Sequence, residues 1–228
     1  MLLLENKHAV IYGAHGALGG AVAAAFEREG AVVHAVGREE VDALDEAAVD
    51  AHAATLERID ISFNLISHGV VQGTAIQDMS VEDYVAPVER QVRSTFITAR
   101  AAARRMIAQG DGGVILFFGG EGDPPRGFQL GSLQTGFQAV EAIRRQLAVE
   151  LGRYGIRTVS LRSGGVPETI PAGFEGRAAI VESLDASTLT GTAATLEDVG
   201  RVAAFVASDR ARTMTGATVN VSAGSLLD

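Results

Sequence analysis

Side chains able to exchange protons follow two of the strands that this sequence predicts. His68 comes just after an apolar run, Ile61–Ile66, and Glu121 lies in the glycine- and proline-rich loop after another, Val114–Phe118. The carboxyl ends of neighbouring parallel strands share one crevice, where an imidazole and a carboxylate can act as acid and base. Taken alone, each residue is more often a solvated loop residue than a catalytic one, and both interpretations stay open.

A glycine-rich turn, Gly13 to Gly19, follows the first predicted strand, His8–Tyr12, and opens a helix rich in small residues. Glycines permit a tight turn and let backbone amides approach a pyrophosphate, and the helix N-terminus adds partial positive charge. A turn of this kind after the first strand of an α/β chain favours a nucleotide site. The alternative is a purely structural turn.

The elements that position these residues alternate between short β-branched runs and longer helical stretches. Several of the runs are apolar on both faces, as in a parallel sheet covered by helices. The alternation predicts an α/β protein with a doubly wound sheet, and the length of 228 residues fits one domain, residues 1–228. The predicted strands are His8–Tyr12, Ala31–Val36, Ile61–Ile66, Val114–Phe118, Arg157–Leu161 and Thr218–Val221.

Helix boundaries are marked by capping patterns. Ser80 with Asp83, and Thr195 with Asp198, predict helices that begin at about 81 and 196. Among the helical stretches, Gln134–Leu151 is expected to be the longest.

Composition excludes several classes of function. The net charge of −9 argues against a nucleic-acid or anionic-membrane partner, since both need clustered positive charge. The absence of cysteine excludes disulfides and thiolate sites and fits a cytoplasmic protein. We see no targeting segment, no membrane-spanning run and no spacing of His, Asp and Glu that suggests a metal site.

Several motifs, considered together, resemble those of the short-chain dehydrogenase/reductase family, nearly end to end. Besides the glycine turn they are Asp60–Ser67 at a strand end, Tyr154–Arg157, Ser163–Val166, Glu197–Asp209 and Thr215-Gly216. The resemblance implies a Rossmann fold with a parallel sheet of about seven strands. It also implies an NAD(P)-binding oxidoreductase that forms a homodimer or homotetramer.

The cofactor contacts follow from the same resemblance. Arg38, after the second strand, and His15, in the glycine turn, stand where a 2′-phosphate would lie, so NADP is favoured over NAD. Both can also be ordinary solvated residues. Only three residues separate Arg38 from Asp42, so the family's usual helix between strands two and three is expected to be missing. The implied cofactor-binding residues are Gly13, His15, Gly16, Leu18, Gly19, Arg38, Asp42, Ala43, Asn64 and Leu65.

The four catalytic positions of the family are all changed. Carbonyl reduction in the family uses Asn, Ser, Tyr and Lys, whose aligned positions here hold Gln91, Gly120, Leu133 and Phe137. Neither the single lysine, Lys7, nor any of the three tyrosines can replace the missing pair. The usual reduction is therefore not expected.

Three hypotheses remain. The first is a divergent oxidoreductase that holds its substrate with Gln91, His68 and the Glu121 loop. The second is a non-catalytic pseudoenzyme or binding protein, and the third a non-redox enzyme such as an isomerase or dehydratase. Four arginines recur at helical spacing: Arg90, Arg93, Arg100 and Arg104. Such a series is more typical of a solvated or subunit-contact face than of an anion-binding groove.

Overall fold

Six parallel strands form the sheet of this protein, whose computed structural model describes residues 2–119 and 129–227. The spatial order is β2-β1-β3-β4-β5-β6, so the direction of winding reverses between β1 and β3. All neighbouring pairs are parallel, as predicted, and the six strands correspond to the six apolar runs of the sequence. Their bounds are β1 His8–Tyr12, β2 Val32–Val36, β3 Ile61–Asn64, β4 Gly113–Phe118, β5 Ile156–Arg162 and β6 Ala217–Asn220.

Helices cover both faces of the sheet and divide the core into two layers. The first layer packs α1 and α6 against one face, with Phe26 and Val199 fully buried, and the second packs α2, α3 and α4 against the other, with Val49 buried. No helix among the described residues is both long and apolar enough to cross a membrane. The helices are α1 Ala17–Arg28, α2 Glu46–Thr55, α3 Val81–Gln109, α4 Leu133–Leu151, α5 Arg177–Ala186 and α6 Leu196–Ala207.

The two predicted capping sites are confirmed, but the expected order of helix lengths is wrong. The Ser80 hydroxyl accepts a hydrogen bond from the Asp83 amide at 3.1 Å, and Thr195 and Asp198 form a full capping box. However, α3 has 29 residues and α4 has 19. Pro87 lies inside α3, and because proline has no amide hydrogen the helix lacks one backbone hydrogen bond there. The proline ring is buried, and the helix continues past it.

The connection from β2 to β3 is shortened at its start. Residues 37–45 form neither helix nor strand, but α2, Glu46–Thr55, follows them before β3 begins, so the prediction that no helix joins the second and third strands is wrong. The sheet has β2 at its edge. Val41 and Ala43, inside this segment, are buried in the second core layer and fix its path. The path places Arg38 and Asp42 on the outside, beside the carboxyl end of β2.

The arginine series of α3 forms intramolecular contacts, which the sequence did not predict. Arg93 donates to the Leu44 carbonyl at 3.0 Å, Arg100 pairs with Glu46 at 2.6 Å, and Arg104 pairs with Asp50 at 3.0 Å. These contacts tie α3 to α2 and to the segment before it.

A buried carboxylate connects the amino ends of β1 and β3. Asp60 precedes β3, is 6 % exposed, and accepts the His8 amide at 2.8 Å and the Arg58 Nε at 2.9 Å. Asp60 therefore holds the start of β1 beside the start of β3, and Arg58 neutralises it.

We expect Asp60→Ala to lower the free energy of unfolding by about 2 to 3 kcal/mol, because it leaves a buried amide and an arginine without their acceptor. Asp111 is the control: it is also paired with Arg58, at 3.5 Å, but its side chain is 66 % exposed. Asp111→Ala should change the free energy by no more than about 0.5 kcal/mol. Urea unfolding measures both, and equal losses would contradict this role of Asp60.

Candidate functional site

The candidate site lies beyond the carboxyl ends of β1, β3 and β4, where the order of the strands reverses. In open parallel sheets the two loops at such a reversal diverge to opposite faces, which leaves a crevice for a ligand. The glycine turn after β1 forms one wall of this crevice. The segment after β3, which contains His68, forms the other.

The glycine turn sits so close to its neighbours that side chains cannot fit. Gly13 has a φ of +78°, and a Cβ there would lie 2.8 Å from the Leu65 carbonyl oxygen. A Cβ on Gly19 would lie 2.7 Å from the Gly13 carbonyl carbon. The two glycines therefore let the turn pack directly on the end of β3 and let α1 pack on the turn.

The N-terminus of α1 is free to bind an anion. Gly16 is its N-cap residue, in extended conformation, and no side chain among the described residues caps the first amides. The first turn contains no acidic residue, and Leu18 is half-buried against the core. Uncapped amides and the helix dipole suit the pyrophosphate of a dinucleotide, so the residues present fit this group.

The exposed end of β2 holds the residues predicted to recognise the 2′-substituent. Arg38 is exposed and makes no hydrogen bond or ion pair in the described parts of the chain, and the His15 ring packs beside Gly37. The Asp42 carboxylate accepts the Leu44 amide at 3.0 Å, and Ala43 is buried. Glu40, which no sequence motif indicated, also lies here, with Oε1 3.9 Å from His15 Nε2.

A hydrogen-bonded network links the end of β3 to α3. The Asn64 amide group donates to Thr98 Oγ1 at 3.2 Å and to Ser94 Oγ at 3.4 Å, and its oxygen accepts the Ile66 amide at 3.0 Å. Ser94 Oγ lies 2.9 Å from His68 Nε2. Asn64 is thus turned towards α3, and its side chain holds the segment that leads to His68.

His68 is half-buried and firmly placed. Arg90 donates to its carbonyl oxygen at 3.0 Å, while Ser94, which is fully buried, holds its ring. Burial, and to a lesser degree the positive charge of Arg90, lowers the pKa of the imidazole to about 4. At neutral pH the ring is uncharged, so it can accept a proton or a hydrogen bond but is a poor general acid.

The aligned catalytic positions on α3 and α4 are filled by packing groups. The Gln91 amide occupies the space that a Cβ on the buried Gly136 would need. Phe137 lies next to Gly119, where a Cβ would be 3.5 Å from its ring, and Leu133 begins α4. Both apolar side chains are half-buried. The predicted positions Gly120 and Glu121 lie outside the described residues.

No tyrosine or lysine takes over the missing functions within the described residues. Tyr12 is 2 % exposed, and burial raises its pKa far above the ordinary value. The Tyr84 hydroxyl bonds Thr135 Oγ1 at 2.7 Å, clamping α3 to α4, and Tyr154 lies in an exposed turn. Lys7 pairs with Asp209 at 3.5 Å, at the opposite end of the sheet from the crevice.

Two polar side chains beside Leu133 have atoms that are shielded from solvent and have no hydrogen-bond partner in the described part of the chain. Ser132 is 1 % exposed, and neither its hydroxyl nor Gln134 Oε1 forms a hydrogen bond within residues 2–119 and 129–227. Unpaired buried groups are costly and need an explanation. In the sequence, both residues flank Leu133, the position that aligns with the family's tyrosine, and this was the feature that singled them out.

The fold and this crevice define a dinucleotide-binding protein of the Rossmann class. Residues 13–225 match the family model described as enoyl-(acyl carrier protein) reductase. The chain belongs to the short-chain dehydrogenase/reductase family.

Several curated relatives match this chain over nearly its whole length at modest identity. A 3-oxoacyl-[acyl-carrier-protein] reductase of Rickettsia conorii is 26 % identical, with 100 % of each chain covered. A D-threitol dehydrogenase of Mycolicibacterium smegmatis is also 26 % identical, over 97 % of this chain and 93 % of its own. Both names describe oxidoreductases.

Solved structures show the same fold. The crystal structure of gox2181 superposes with a TM-score of 0.86 at 24 % identity, covering 97 % of this chain and 96 % of that one. A short-chain type dehydrogenase/reductase from Mycobacterium marinum has a TM-score of 0.82 at 24 % identity, with the same coverage.

The lowered pKa of His68 predicts a pH dependence of stability. Between pH 4 and 6.5 the unfolded chain, with its ordinary histidine pKa of 6.5, binds more protons than the folded chain does. The free energy of unfolding should therefore be fully retained above that range and fall as the pH falls through it. In the His68→Gln variant, the free energy of unfolding should fall less steeply with falling pH. Part of the pH dependence should persist in this variant, because burial also lowers the pKa values of His34 and His52.

Urea unfolding at a series of pH values measures the slope, and His15→Gln, at an exposed histidine, is the matched control. An identical slope in the His68→Gln variant and the original protein would contradict the placement of His68.

Proposed function

We propose that this protein binds NADP(H) in preference to NAD(H) and does not catalyse the family's usual tyrosine-dependent carbonyl reduction. The observation that carries the proposal is a contrast within one crevice. The dinucleotide end keeps its glycine contacts and its uncapped helix. The chemical end has Leu133 and Phe137 where the family places its acid and its lysine.

The chain's own groups would hold the cofactor at three places. The amides at the start of α1 would bind the pyrophosphate, and the exposed Arg38 and His15 would bind the 2′-phosphate. Asp42 and Ala43 would lie at the adenine. A bound nicotinamide dinucleotide supplies a hydride donor or acceptor.

The proposed preference for NADP rests on the positive charge of Arg38, just after the carboxyl end of β2. Arg38 has no partner in the described segments, so its guanidinium is available for a bidentate contact with a phosphate. The relatives' names do not decide between the two cofactors. Arg38 is therefore the main support for this part of the proposal.

The remaining polar groups of the crevice suit substrate holding better than proton donation. His68, uncharged at neutral pH, can accept a hydrogen bond from a substrate hydroxyl or act as a weak base. Ser94 fixes the ring from behind and is itself inaccessible. His68 would thus form part of the substrate side of a divergent oxidoreductase.

A second candidate function is binding without catalysis. It is favoured by the packing of Phe137 beside Gly119, which makes the aligned catalytic face of α4 apolar. A protein of this kind would keep the nucleotide as a ligand or a structural group. The two candidates differ in whether bound nucleotide is ever oxidised or reduced.

Nucleotide binding is tested at Gly16. Aspartate is a favourable N-cap residue, and the extended conformation of Gly16 suits it, so Gly16→Asp should fold normally. Its carboxylate would stand where the pyrophosphate binds, and NADPH affinity should fall at least tenfold, or about 1.4 kcal/mol. Gly16→Asn caps the helix without a charge and is the control.

The measurement is the shift in melting temperature with NADPH, which should stabilise the original protein by about 2.7 kcal/mol at one hundred times its dissociation constant. No shift with either NADPH or NADH would refute the proposal. Equal shifts in the Asp and Asn variants would show that the nucleotide binds elsewhere.

Turnover separates the two candidate functions. We expect no NADPH oxidation with a panel of ketones and aldehydes that the family's tyrosine mechanism reduces. Ready reduction of such carbonyls would contradict the proposal. Any oxidation or reduction of the nucleotide that disappears in His68→Ala, in a protein that still binds NADPH, would eliminate the non-catalytic candidate.

A further inference from the structure

Three groups meet at the carboxyl end of β2. The Gly37 amide donates to Glu40 Oε2 at 2.8 Å, and Glu40 Oε1 lies 3.9 Å from His15 Nε2. A Cβ on Gly37 would lie 2.7 Å from Glu40 Oε2, so the carboxylate is packed closely over this residue. Glu40 thus covers the backbone directly before Arg38 and faces His15.

The charge of Glu40 opposes that of Arg38 and His15 at this place. A carboxylate at the end of the second strand accepts a hydrogen bond from a ribose 2′-hydroxyl, whereas an arginine accommodates a 2′-phosphate. Here both types of group are present within three residues of the chain. A phosphate that approached Arg38 and His15 would meet an anion that already holds the Gly37 amide and faces the imidazole.

We propose that Glu40 is a specificity-determining residue that occupies the 2′-phosphate subsite from within. A 2′-hydroxyl can be bound with Glu40 in place, because its carboxylate retains free acceptor capacity. A 2′-phosphate requires Glu40 to release the Gly37 amide and turn away from His15. Glu40 therefore narrows the preference for NADPH over NADH that Arg38 and His15 create. The inference rests on the proposed cofactor binding.

The neighbouring Glu39 separates this local effect from a general effect of charge. Glu39 is exposed and has no hydrogen bond or ion pair in the described parts of the chain. It carries the same charge one residue away. Glu39→Gln therefore changes the net charge as Glu40→Gln does and leaves the Gly37 contact intact.

The test compares dissociation constants for NADPH and NADH in the original protein, Glu40→Gln and Glu39→Gln, using the fluorescence of the bound reduced nucleotides. Glu40→Gln should tighten NADPH by about fivefold or more, the order expected when a charged competitor is removed from a partly exposed anion site. NADH should change by less than about twofold, since glutamine can still accept a 2′-hydroxyl. Glu39→Gln should leave the ratio of the two constants within about twofold of the original.

Each outcome decides one point. If the original protein binds the nucleotides and the ratio in Glu40→Gln equals that in Glu39→Gln, the role of Glu40 is refuted and the proposed cofactor binding stands. If Glu40→Gln weakens NADPH, the carboxylate supports the phosphate site, and the inference is again overturned. If the original protein binds neither nucleotide, both proposals fail together. Unchanged melting temperatures without nucleotide establish that the variants are folded.

Discussion

The structure depends on close backbone contacts between the turn after β1, the end of β3 and the start of α1, where glycines leave no side chain in the way. Gly13 approaches the Leu65 carbonyl, and Gly19 approaches Gly13, at distances that exclude a Cβ. These contacts set the direction of α1 as it leaves β1. Because the helix is fixed there, Val22 and Phe26 reach the core and the uncapped amides point at the crevice. The same lack of side chains serves packing and ligand access.

The two ends of the crevice are built on opposite physical principles. The nucleotide end uses bare backbone, whose amides need no ionisation to bind an anion. The chemical end is crowded, with Gln91 against Gly136 and the imidazole of His68 held by Ser94. Close packing excludes water, and without water the charged form of an ionisable side chain is less stable than the neutral form. A site of this kind binds and orients more readily than it donates protons.

Local signals carried much of the fold and of the nucleotide end. The apolar runs predicted all six strands, and Ser80 and Thr195 predicted their helix starts, because each signal depends only on adjacent residues. The start of α3 was predicted, but the prediction that α4 is the longest helix was wrong, because α3 continues through Pro87, whose ring is buried. Longer-range contacts escaped prediction: Ser94 and His68 lie 26 positions apart, and Arg93 and Leu44 lie 49 apart. Glu40 was missed for a different reason, because its role depends on how the turn after β2 folds back on Gly37.

The position of the only lysine makes this chain unusually simple to label. Its ε-amine sits at the amino end of β1, beside Asp209, with one-third of the side chain exposed. Among side chains, reagents that couple to primary amines would therefore attach a dye or a surface tether only at the base of the sheet. The crevice is at the opposite end, so a molecule immobilised through Lys7 would present its nucleotide site to solution in one uniform orientation.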